Sequence, residues 1–134
     1  MPKRSFAFRL DDILEAAGRV RATLGDLPLD AFEADWQRHW LVQRGVEIIS
    51  EASRHLPTAL KARHPEIPWT KVAGIGNILR HNYEDIEASV LWKLVREDLP
   101  ELEQVCRAER GADAGESQLD VPLRRQDRAR FRID

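Results

Sequence analysis

Apolar residues recur every three or four positions along most of this chain, and that spacing fits one face of an α-helix. Leu10, Ile13, Leu14, Ala17, Val20 and Leu24 set the pattern over residues 6–24. Gly25 follows as a C-terminal cap, and Leu27-Pro28 belongs to the turn. A second, longer helix is expected over 30–56, with Asp30 as N-cap and Glu33 in capping-box position. Its apolar stripe runs through Val42, Val46, Ile49, Ser53 and Leu56, and another stripe carries Trp40, Arg44, Glu47 and Glu51. Pro57, Pro65 and Pro68 mark residues 57–68 as a loop. A third helix is expected over 69–82, a turn at Glu84-Asp85-Ile86, a fourth helix over 87–97, a break at Asp98-Leu99-Pro100 and a last helix over 100–109. The expected fold class is all-α, an antiparallel bundle of four to five helices.

A length of 134 residues suits one domain with a core of its own. The single cysteine, Cys106, excludes a disulfide framework and a Cys-rich zinc site. No paired His/Glu metal spacing, P-loop or dinucleotide fingerprint occurs, so neither a metal nor a cofactor is expected. The opening MPKRSFAFRLDDILEAAGRV is interrupted by Asp11, Asp12 and Glu15, unlike the apolar run of a secretory leader, and no stretch has the length of a membrane span. A soluble, cytoplasmic protein is the expectation. With a net charge of -2, nucleic-acid contact must come from a local patch rather than from the whole surface. From Gly111 the chain turns small and polar, then arginine-rich through Arg132. The expected organisation is a helical domain over 1–110 and a disordered tail over 111–134.

The densest polar cluster set into an apolar helix pattern lies in WTKVAGIGNILRHNY, Trp69 to Tyr83. On a helix, Asn77, Arg80, His81 and Glu84 share one face, while Val72, Ile75 and Leu79 turn to another. An arginine, a histidine and a phenol close together suit work on a phosphate: the guanidinium stabilises charge and the imidazole moves a proton near neutral pH. A histidine on an amphipathic helix is more commonly a surface or core-edge residue. Gly74 and Gly76 invite close approach of a ligand or, more commonly, of another helix. Arg44 and Glu51 either form ordinary surface pairs or support the site from the second helix.

Three strings in order resemble the HepT-like branch of the HEPN superfamily: WLVQRGVEIISEA (Trp40–Ala52), IPWTKVAGIGNILRHNYEDI (Ile67–Ile86) and VLWKLVREDLPELEQ (Val90–Gln104). The resemblance covers roughly residues 6–109. It implies a helical bundle that dimerises, a metal-independent endoribonuclease and a toxin paired with a minimal nucleotidyltransferase antitoxin. The branch's signature is an Arg, four intervening residues, a His, one residue and a Tyr, with an Asn after the Arg. Asn77, His81 and Tyr83 match it, while Gly76 stands where the Arg is expected. The resemblance therefore implies His81 as acid or base, Asn77 as a phosphate-positioning group and Tyr83 as a residue modified by AMP transfer. Arg80, one turn after Gly76, is the candidate replacement for the missing charge. The competing reading is a non-catalytic subunit that binds nucleotide, RNA or the nucleotidyltransferase without cutting RNA.

Overall fold

The computed structural model describes residues 2–82 and 88–116, with side chains over 6–79 and 88–112. The elements in order are α1 (Pro2–Leu24), α2 (Leu29–Glu33), α3 (Trp36–Arg54), α4 (Thr58–Ala62), α5 (Trp69–Asn82), α6 (Ala88–Lys93) and α7 (Leu99–Glu116). No strand occurs among the described residues. The all-α expectation holds, and the long members of the bundle are α1, α3, α5 and the rod made by α6 and α7.

Helix α1 buries Leu10, Ile13, Ala17, Val20 and Leu24, the stripe read from the sequence. It ends at Gly25, whose φ of 54° lies in the left-handed region. Helix α3 crosses α1 with almost nothing between them: a Cβ on Gly45 would stand 2.1 Å from Val20 Cγ2. Helix α7 covers the other flank of α1. Arg21 donates to the buried Glu103 at 2.8 Å, and Arg110 donates to Asp11 at 3.0 Å. The rising numbers on α1 meet falling numbers on α7, so the two run antiparallel. Glu103 raises the Arg21 pKa through its hydrogen bond and its charge. Cys106 is buried beside this pair, and burial, with Glu103 and Glu109 nearby, pushes its thiol up to about 12. Such a thiol is inert.

Several boundaries differ from the sequence expectation. The single helix expected over 30–56 is two helices. Asp35 breaks the run and caps α3, its carboxylate accepting from the Arg38 N–H at 3.1 Å. Asp30 instead lies inside α2, which starts after Pro28. The break lets α2 turn Phe32 fully into the core, where its ring meets His39 at a centroid distance of 5.4 Å. The loop at 57–68 contains α4, which contributes the buried Leu60.

The expected break at Pro100 is not a break. A π-helical stretch, Leu94–Asp98, joins α6 to α7 in one continuous rod. Proline has no N–H and crowds the carbonyl four residues before it, here that of Arg96. A widened turn over Leu94–Asp98 accommodates both without ending the helix. The rod then continues to Glu116, beyond residue 109 where the spacing placed its end. Residues 111–116, expected in the tail, are instead the last turns of α7, and the turn expected at 84–86 and residues 117–134 of the expected tail lie outside the described residues. No described helix is long and apolar enough to cross a membrane.

The α4–α5 connection is tied to α7 by charge. Arg63 donates to Glu109 at 2.7 Å, and a ring nitrogen of His64 lies 2.6 Å from the same carboxylate. The Arg63 hydrogen bond, with help from His64, holds the Glu109 carboxyl below its ordinary range despite burial. A depressed folded pKa contributes stability that is fully present above the unfolded carboxylate value, about 4.3, and is lost as pH falls through the folded value. Thermal melts of wild type and Glu109→Gln are expected to differ most at neutral pH, wild type being the more stable. The difference should shrink as pH falls below 4. A gap independent of pH would show that the carboxylate's charge is not what stabilises the junction.

Candidate functional site

Helix α5 is the element the site depends on, and its bounds match the expected 69–82. It starts at Pro68, whose carbonyl accepts from the Val72 N–H at 3.0 Å. The Trp69 indole donates to the carbonyls of Lys61 and His64 at 3.2 and 3.0 Å, fixing the first turn against α4 and the following loop. Val72, Ile75 and Leu79 are buried at helical spacing.

Between Ile75 and Asn77, Gly76 is buried against α3. The Ser50 hydroxyl donates to the Ala73 carbonyl at 2.8 Å and accepts from the Gly76 N–H at 3.1 Å. Of the two expected uses of small residues, helix packing is what Gly76 serves. Position 76, where the resemblance leads us to expect an arginine, faces the bundle.

Asn77 is exposed on the outer face of α5, and His81 follows one turn later in the same helix. The side chains of Arg80 and His81, and all of Tyr83, lie outside the described residues. The helix backbone still fixes directions. At about 100° per residue, position 80 lies about 40° round from position 76, on the side toward Asn77. By register, position 80 falls between Gly76 and Asn77 round the helix.

Helices α3 and α5 form an antiparallel hairpin closed by α4. Counting along it from the Ser50 contact, position 81 comes level with Arg44. Arg44 is exposed and donates to Glu47 at 3.1 Å. Glu51 is exposed as well, with a carboxylate oxygen 2.9 Å from His55 Nε2. The two α3 candidates therefore occupy the solvent side of the helix that backs α5, each with a near neighbour on its own helix.

Two cations that the sequence reading did not single out line one groove with Asn77. A groove of about 460 Å³ is lined by Arg54 from the end of α3, Lys61 from α4, and Trp69, Thr70, Ala73, Gly74 and Asn77 from α5. Gly74, unlike Gly76, opens onto space: a Cβ there would meet nothing within 4 Å. Lys61 was hidden in a stretch read as loop, and only the fold-back of α4 brings it to α5. No group of three or more His, Cys, Asp or Glu suited to a metal ion occurs among the described residues.

The description of the family "Ribonuclease HepT-like" matches residues 13–109, most of the chain. The chain belongs to this family. A protein of Thermococcus cleftensis named "Probable ribonuclease HepT" is 39% identical over 100 residues, covering 75% of this chain and 91% of that protein. A Methanocaldococcus jannaschii protein, named as a candidate RNase, is 36% identical over 104 residues, 78% of this chain and 95% of its own length. A second candidate RNase of the same organism is 30% identical over 117 residues, 84% of this chain and 97% of its own. No solved structure matches the chain. The family match spans the site helix and everything packed around it, from Ile13 in α1 to Glu109 in α7.

Proposed function

We propose that this chain is a metal-independent endoribonuclease of the toxin type, working as a homodimer and restrained by a minimal nucleotidyltransferase antitoxin. The observation that carries the reading is the family match over 13–109, joined to an exposed Asn77 one turn before His81.

The chemistry is intramolecular. The ribose 2′-hydroxyl attacks the adjacent phosphorus, the bond to the 5′-oxygen of the next nucleotide breaks, and a 2′,3′-cyclic phosphate and a 5′-hydroxyl end remain. The nucleophile belongs to the substrate, so the protein must supply a base, an acid and charge stabilisation. His81 takes the proton from the 2′-hydroxyl. Arg80 balances the negative charge that builds on the phosphoryl oxygens. Asn77 holds a non-bridging oxygen or orients His81. Protonation of the leaving 5′-oxygen needs a second group, and a two-fold dimer supplies it as the second copy of His81.

An exposed apolar surface supports the dimer. Trp36 and Trp40 are 61% and 64% exposed, and the two indoles meet edge to face at 5.0 Å. Large apolar side chains gathered in water mark a contact surface more than a monomer's ordinary exterior. They lie on the N-terminal half of α3, which the antiparallel hairpin sets beside the His81 end of α5. Tyr83 follows that end by one residue. AMP groups placed on its hydroxyl bring negative charge and bulk to the place an RNA phosphate must occupy.

The test is cleavage of single-stranded RNA by purified protein in excess chelator, with Tyr83 shown unmodified by mass. New 2′,3′-cyclic phosphate ends are expected. Intact RNA under those conditions would leave the competing reading, a subunit that binds nucleotide, RNA or its partner without cutting.

A further inference from the structure

We propose that the groove between the first half of α5 and the end of α3, bounded by Arg54 and Lys61 and running up to Asn77, holds the sugar-phosphate backbone of single-stranded RNA beside the cleavage point. It rests on the ribonuclease reading only for the choice of RNA as ligand.

Four observations converge. Neither Arg54 nor Lys61 has an ion-pair partner among the described residues, whereas Arg63, Lys71 and Arg44 nearby are each committed to a carboxylate. The two cations come from different elements, α3 and α4, and meet at this groove. Burial lowers the Lys61 pKa, and an anion seated beside the amine would offset that effect. One end of the groove, at Trp69 and Thr70, lies at the first turn of α5, where the helix dipole favours negative charge.

The floor suits a strand. Gly74 leaves open space in the middle, Thr70 offers a hydroxyl at one end and Asn77 an amide at the other. Thr70, Gly74, Asn77 and position 81 lie on one face of α5. By helix rise, position 81 is about 16 Å from Thr70 along the axis. A strand with its scissile phosphate at His81 can thus lay a further stretch of backbone over Asn77 and Gly74, its phosphates meeting Arg54 and Lys61. Neither side chain reaches the reacting atoms. Both act as positioning residues that hold the strand by charge, without reading bases.

The experiment uses full-length His81→Ala protein, expected to bind without cutting, and a fluorescein-labelled single-stranded RNA followed by polarisation. Arg54→Gln and Lys61→Gln are expected each to weaken binding about 3–10-fold and to lower the slope of log affinity against log salt by about 0.7. Arg54→Lys and Lys61→Arg should restore most of the affinity. Arg19→Gln removes the same charge from an exposed α1 side chain that pairs with Glu15, on the opposite flank of α3, and should change neither quantity. Unchanged RNA affinity in both groove variants, with helicity and melting as in the parent, would overturn the proposal. So would equal losses in all three glutamine variants, which would report only the overall field, and so would absence of RNA binding by the parent. Binding that depends on Arg54 and Lys61, in a chain whose wild type cuts no RNA, would keep the groove and remove the nuclease reading.

Discussion

Alanine at position 81 is expected to lower RNA cleavage by about 10²–10⁴-fold, the usual contribution of a positioned acid or base. Alanine at position 80 is expected to cost about 10²–10³-fold, the scale of losing one stabilising contact to a developing oxyanion. Single-turnover cleavage separates the two from binding. Both losses should appear in kcat with KM little changed, because charge on the phosphoryl oxygens grows only as the transition state is approached. Arg80 carries the more demanding part. Position 76 faces α3, and its amide is bound to the Ser50 hydroxyl at 3.1 Å, so the guanidinium must come from elsewhere. By register, position 80 falls between Gly76 and Asn77 round the helix. Cleavage that survives Arg80→Ala would remove Arg80 from the mechanism, and cleavage that survives His81→Ala would place the centre elsewhere.

The second large effect concerns stability and sets two glycines against each other. Gly45→Ala places a methyl 2.1 Å from Val20 Cγ2, at the crossing of α1 and α3. Valine in a helix is stiff about χ1 and cannot swing away cheaply. The helices must part, and overpacking of this kind costs about 1–3 kcal/mol. Gly18→Ala, inside α1, adds a methyl with nothing within 4 Å. It should stabilise by about 1 kcal/mol through helix propensity alone. Denaturant melts of both variants and of the Gly45→Ala/Val20→Ala pair test this directly. The double variant should lose less than the sum of its parts. A neutral Gly45→Ala would mean that α1 and α3 approach less closely than described.

The sequence made the bundle legible where a stripe of apolar residues recurs without interruption. Helix α5 has its expected bounds because Pro68 leads into it and Val72, Ile75 and Leu79 share one buried face. Asn77 was readable as an outward group by the same spacing. What could not be read was set by tertiary context. Asp35 interrupts an otherwise continuous helical pattern by capping α3, and the break lets α2 turn Phe32 into the core. Pro100 carries a strong stop signal locally, yet the rod absorbs it in a widened turn. Arg54 and Lys61 are unremarkable letters seven apart, and a folded-back α4 brings them to one groove with Asn77.

Ser50 gives the site a dependence that no residue of α5 reveals. One hydroxyl bonds the Ala73 carbonyl and the Gly76 N–H together. That pair of bonds acts as a keyway: α5 cannot spin about its own axis or slide along α3 without breaking both. The azimuth of Asn77 and of position 81 is thus inherited from a neighbouring helix. The aim of the polar face is set from behind, by a residue facing away from any substrate.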